Sequence, residues 1–235
     1  YEDIVNAITE ALGGRFYENF ETLEGLPKLT AKRSVTTGGH FAYLKIAEGC
    51  NKRCTYCIIP YIRGNYRSVP MEELVAQAKE LVAAGAKELI LVAQETTLYG
   101  VDLYGEKSLH KLLDALNEIP GLFWIRIMYC YPEEIYEELI DAIARNEKVC
   151  HYLDLPIQHA NDTMLKRMGR RTSNADLVRI ITHLSSTDSE LSPTLRRREH
   201  LRRSSRIRLT RRRRKSGRRM SWNCRRRSSS TRTRR

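Results

Sequence analysis

From residue 41 onward the chain alternates two hydrophobic periods, and this alternation limits its fold more than any other feature. Residues 41–47 and 123–128 read as strands, and residues 152–155 as a fourth in chain order. Residues 89–93 form a continuous apolar run, as expected of a parallel strand buried on both faces. Helical stripes lie between them. Pro70, Glu72 and Glu73 open a helix bearing Leu74, Val75, Ala78, Leu81 and Val82, and Gly85 closes it. Ser108 is placed to cap a helix with Leu109, Leu112, Leu113 and Leu116. Ile135, Leu139, Ile140 and Ile143 mark the next helix, and two short helices cover residues 162–168 and 174–184. Strands alternating with helices predict an α/β fold, βα units around a parallel sheet, with functional residues where the strands end.

The first strand runs into residues 49–57, GCNKRCTYC, which place Cys50, Cys54 and Cys57 in a C-x₃-C-x₂-C spacing. Three thiolates cannot close a structural zinc site, which takes four ligands. They can hold three irons of a [4Fe–4S] cubane and leave the fourth open. Zinc completed by a distant ligand such as His40 is the metal-binding rival. A disulfide would leave one of the three thiols over, and no secretory signal precedes them.

This motif, with YLKIAEGCNKRCTYCIIPYIRG, AQETTLYGVD and YLDLPIQHAND in order, resembles the radical S-adenosylmethionine (SAM) methylthiotransferases. Residues 96–102 and the pair Gln158-His159 are closer to the ribosomal-protein branch than to the tRNA-modifying one, and the resemblance covers roughly residues 1–184. It implies a partial (β/α) radical SAM barrel with a cluster on Cys50, Cys54 and Cys57 and SAM at its open iron. Reductive cleavage of SAM would then yield a 5′-deoxyadenosyl radical. The implied product is a methylthio group on an aspartate β-carbon of a small-subunit ribosomal protein, with tRNA adenosine as the alternative substrate. The implied partners are the ribosome or that protein, and an electron donor such as flavodoxin or ferredoxin.

By the same resemblance Tyr56 lies near the adenine, and Glu95 and Gln158 suit the amino, ribose or carboxylate groups of SAM. Both could equally cap strand ends. His159 could orient SAM or substrate, or serve as a hydrogen-bonded structural residue. Arg126 could reach into the barrel toward a carboxylate or pair with an acid. Cys130 and Cys150 read as small buried hydrophobes, and Lys52 and Arg53 as solvated.

Charge divides the chain. Of its 41 Lys and Arg residues, 20 fall in residues 187–235 beside 3 acids, so the remainder is mildly acidic despite a net charge of +13. The expected organisation is residues 1–40 as the last helix and linker of an N-terminal domain that carries a second [4Fe–4S] cluster. Residues 41–185 are the incomplete barrel and residues 186–235 a basic tail. That tail has 19 arginines to one lysine and no apolar period. It is expected to be disordered, as a solvated tail, an RNA-binding arm or the product of a shifted reading frame. A chain opening on Tyr1 and aberrant after about Leu184 would be a fragment lacking the last barrel strands and the substrate-binding domain. No apolar run approaches the length of a membrane span, and metal-spaced thiols point to a reducing cytoplasm. An Fe–S electron carrier and a basic RNA-binding protein stay open as other classes. The first would need a fourth ligand, and the second would owe its affinity to the tail.

Overall fold

The computed structural model of the chain describes residues 3–19, 22–26 and 39–190. Helix α1 (Ile4–Leu12) falls where the last helix of an N-terminal domain is expected, and none of its residues is buried. Strand β1 (Phe41–Lys45) is followed by a two-residue strand β2 (Ala47–Glu48), a short helix α2 (Ile59–Arg63) and a two-residue strand β3 (Arg67–Ser68). Then come α3 (Met71–Ala83), β4 (Glu88–Val92), α4 (Val101–Tyr104), α5 (Leu109–Asn117) and β5 (Trp124–Ile127). A 3₁₀ turn (Pro132–Glu134), α6 (Glu137–Arg145), β6 (Val149–Leu153), α7 (Asp162–Arg167) and α8 (Asn174–Glu190) complete the order. Helix α8 runs six residues past its expected end, and the rest of the expected basic tail lies outside the described residues.

Strands β1, β4, β5 and β6 form one parallel sheet in sequential order. The expected α/β fold is therefore present. One face is covered by α3, α5 and α6, and there Leu44, Leu89, Leu91, Ile125 and Ile127 are fully buried. Residues 88–92 are not buried on both faces, contrary to the reading of their apolar run. Glu88, Ile90 and Val92 alternate as half-buried, because they face the side opposite those helices, where Tyr43 and Tyr152 are exposed. Arg126 lies on that same side and donates from Nε to Glu88 Oε1 at 2.7 Å, so the ion-pair alternative describes it.

Two local expectations change. Ser108 does not cap α5; its hydroxyl donates to Glu106 O at 3.2 Å. Ile135 precedes α6, because Pro132 nucleates a separate 3₁₀ turn first. No helix among the described residues is long and apolar enough to cross a membrane.

Candidate active site

Because the four main strands are parallel, the segments following β1, β4, β5 and β6 leave the same edge of the sheet. The first of these is the cysteine loop. The antiparallel β2–β3 ribbon closes its base, pairing Ala47 with Ser68 and Glu48 with Arg67. Gly49 has φ +79°, and a Cβ there would stand 2.1 Å from the Asn65 carbonyl oxygen, so only glycine fits. Cys50 N–H then donates to Gly64 O at 3.2 Å, and Cys57 N–H to Cys54 O at 3.0 Å. The thiols of Cys50 and Cys54 are buried and that of Cys57 half-buried; none forms a disulfide, so the disulfide alternative falls.

The conspicuous words of the sequence turn out to build this ribbon. Asp102 accepts from the Ser68 N–H at 2.8 Å and from its hydroxyl at 2.6 Å, and Gly100 N–H donates to that same hydroxyl oxygen. Tyr99, fully buried, donates its hydroxyl to Val69 O at 2.8 Å. Residues 96–102 thus brace the strand that shuts the cysteine loop.

Glu95, at the end of β4, is fully buried. Its Oε1 accepts from Thr97 N–H at 3.0 Å and from the Thr97 hydroxyl, while Oε2 is buried with no hydrogen-bond partner. Burial pushes its carboxyl up to about 7, with the Thr97 hydroxyl and Lys52 pulling the other way. The same carboxylate acts electrostatically on Cys50, whose thiol burial also raises, and on the buried Tyr66 hydroxyl. A buried carboxylate oxygen without a donor is costly unless something cationic or protic arrives.

The other expected residues sit further out. Tyr56 is 51% exposed, and Gln158 and His159 are exposed beyond β6. His159 Nδ1 accepts from Asn161 N–H at 2.9 Å, a contact inside its own turn. Gln158 has φ +63°; with Arg53 in the cysteine loop and Tyr129 after β5 it makes the three positive-φ non-glycine residues described. All three fall at this edge of the sheet, where such strain points to function.

Lys52, expected to be solvated, is instead ion-paired with Glu134, which also holds Lys107 at 2.9 Å. The pairing draws the cysteine loop onto the 3₁₀ turn after β5. Tyr131 falls among the residues expected at the end of the third strand, residues 129–131, whereas nothing in the sequence marks Arg170. Arg170 has a fully buried side chain, donates to Glu133 Oε2 at 3.1 Å and Pro156 O at 3.2 Å, and lies 4.1 Å from the Tyr131 ring centre. Only its place in the run RMGRR was visible in the sequence, and such a run reads as solvated. Cys130 is fully buried, its thiol pushed up to about 12 by that burial, and behaves as the expected small hydrophobe.

A model of the radical SAM superfamily matches residues 44–191. The chain belongs to the radical SAM superfamily. It is 60% identical over 184 residues to the ribosomal protein uS12 methylthiotransferase RimO of Lachnoclostridium phytofermentans, covering 78% of this chain and 42% of that protein. The RimO of Clostridium perfringens SM101 is 50% identical over 182 residues, covering 77% of this chain and 40% of its own length. The chain thus spans about two fifths of the length of the curated relatives it matches. Among solved structures it resembles the cobalamin-dependent S-adenosylmethionine radical enzyme OxsB, with a TM-score of 0.51 at 14% identity over 62% of this chain and 22% of that one. At that identity the likeness is one of fold.

The donor set fits the cluster that the radical SAM name implies. Three sulfur donors share one loop, and Glu95 Oε2 and the Tyr66 hydroxyl are buried beside it without partners. A structural zinc takes four ligands, whereas a cubane takes three thiolates on three of its irons and leaves the fourth open. His40 does not complete a zinc site. Its carbonyl accepts from the Lys87 and Glu88 N–H groups at the start of the sheet, so the length of β1, about 16 Å, separates it from the cysteines' edge.

Proposed function

We propose that this chain is the SAM-cleaving part of a methylthiotransferase that modifies ribosomal protein uS12 on an aspartate β-carbon. The observation that carries this reading is the 60% identity over 184 residues to a protein of that name. Cys50, Cys54 and Cys57 would hold the [4Fe–4S] cluster. When bound, cluster and SAM supply one-electron cleavage of the sulfonium and an adenosyl radical able to take an aliphatic hydrogen, which acid–base side chains cannot do.

The chain's own residues bind, orient and exclude water. Glu95 Oε2 stands ready for the amino group of SAM; with its carboxyl near neutrality, the arrival of a cation displaces the proton and satisfies the orphaned oxygen. Tyr56, half out of the surface, would lie along the adenine, and Gln158 and His159, exposed beyond β6, would meet ribose or substrate. The second [4Fe–4S] cluster, a flavodoxin or ferredoxin as electron donor, and a cytoplasmic setting belong to the same proposal.

Anaerobic reconstitution with iron and sulfide, then SAM and dithionite, tests it. Release of 5′-deoxyadenosine and methionine is the expected result. Uptake of zinc in preference to iron, or a cluster spectrum that SAM leaves unchanged, would overturn it. In the full-length protein, methylthiolation of uS12 with tRNA left untouched decides the substrate.

A further inference from the structure

The cysteine loop is gripped from one side by a cluster of groups that the chemistry above does not use. The Tyr131 hydroxyl lies 3.3 Å from Cys54 Sγ, with Tyr131 arriving from the end of β5. Two cations sit by its ring: the Arg170 guanidinium 4.1 Å from the centroid and Lys52 Nζ at 5.1 Å. Arg170 is fixed by Glu133 and the Pro156 carbonyl, and its charge faces Glu133, Tyr131, Tyr56 and Cys54. Lys52 is fixed by Glu134. The ring is therefore held in place and its electron density drawn toward the cations, which makes the phenol a stronger donor. A thiolate bound to iron can only accept from it. Donors to ligand sulfur stabilise the more negative, reduced state of a cluster and raise its potential.

We infer that Tyr131, held by Arg170 and Lys52, is a positioning residue that sets the reduction potential of the cluster ligated by Cys54. The inference rests on the cluster assignment made under Proposed function and deepens it. It concerns the one-electron 2+/1+ couple, with the electron supplied by an external low-potential donor. A phenol on this sulfur makes that electron easier to accept, so the donor can be less strongly reducing.

The test is a dithionite titration of the reconstituted chain, followed by electron paramagnetic resonance of the reduced cluster. Tyr131→Phe removes one oxygen and keeps the ring. Its midpoint should shift to more negative potential with iron and sulfide content unchanged. Arg170→Lys keeps the cation but loses the flat stack, and its midpoint should move the same way by less. A Tyr131→Phe midpoint equal to the wild type overturns the inference while leaving the enzyme reading intact. Should Tyr131→Phe assemble poorly, an unmoved Arg170→Lys midpoint overturns it as well. A wild-type chain that takes up no cluster defeats both readings at once.

Discussion

The loop of residues 49–58 and the loop of residues 156–161 leave the same edge of the sheet, yet they are held in opposite ways. The first is tied to distant chain: Lys52 to Glu134, Cys54 to Tyr131, and Thr55 to the Arg167 and Met168 carbonyls. The second leans on itself and on the helices that follow it. His159 N–H donates to Ile157 O, Asn161 caps Met164, and Asn174 reaches back to Ala160 O. A site built this way has one rigid wall and one adjustable wall. The rigid wall suits a metal group that tolerates little displacement; the adjustable wall suits a substrate that must enter and leave.

That contrast can be broken by substitution, and the largest effect should fall on the rigid side. Cys57→Ala should abolish the cluster's visible absorbance and reduce 5′-deoxyadenosine release to background; a variant retaining both would end the assignment. Next comes Glu95. Its carboxyl titrates near 7 when folded against 4.5 in an unfolded chain. The folded state therefore binds the extra proton, so stability is full below pH 4.5 and is lost as pH rises through 7, by roughly 3 kcal/mol in all. Denaturant melts of the metal-free chain at pH 5 and pH 8 should show that loss, and Glu95→Gln should flatten it.

Gly49→Ala forces a Cβ against the Asn65 carbonyl at positive φ. It should cost about 2 kcal/mol or more, read as a drop of several degrees in Tm and reduced iron uptake. On the adjustable wall the effects shrink. Asn161→Ala removes the α7 cap at Met164 N–H and should cost about 1 kcal/mol. His159→Ala should stay within about 0.5 kcal/mol in thermal unfolding while weakening SAM binding to the loaded chain. A large loss of stability there would erase the distinction between the walls.

Much of the frame was legible in the chain because parallel strands and amphipathic helices carry strong periods. The four strands and the helices at residues 71–83 and 109–117 follow from spacing alone. The β2–β3 ribbon escaped, since two residues per strand carry no period. In the site, the three cysteines and Glu95 stood out by residue type and by their position after strands. Lys52 and Arg170 did not, because a cation reads as solvated until the fold supplies Glu134, Glu133 and a tyrosine ring to bury it against. Asp102 was visible within a family word, but its work of holding Ser68 depends on a two-residue strand 34 residues away.

The stitch made by Thr55 has a consequence for biosynthesis. Its hydroxyl reaches the Arg167 carbonyl across 112 positions of sequence, and its amide reaches that of Met168. A nascent polypeptide still lacking that helix end has neither bond, so the sulfur-bearing segment gains these two restraints only once residues 167 and 168 have been made.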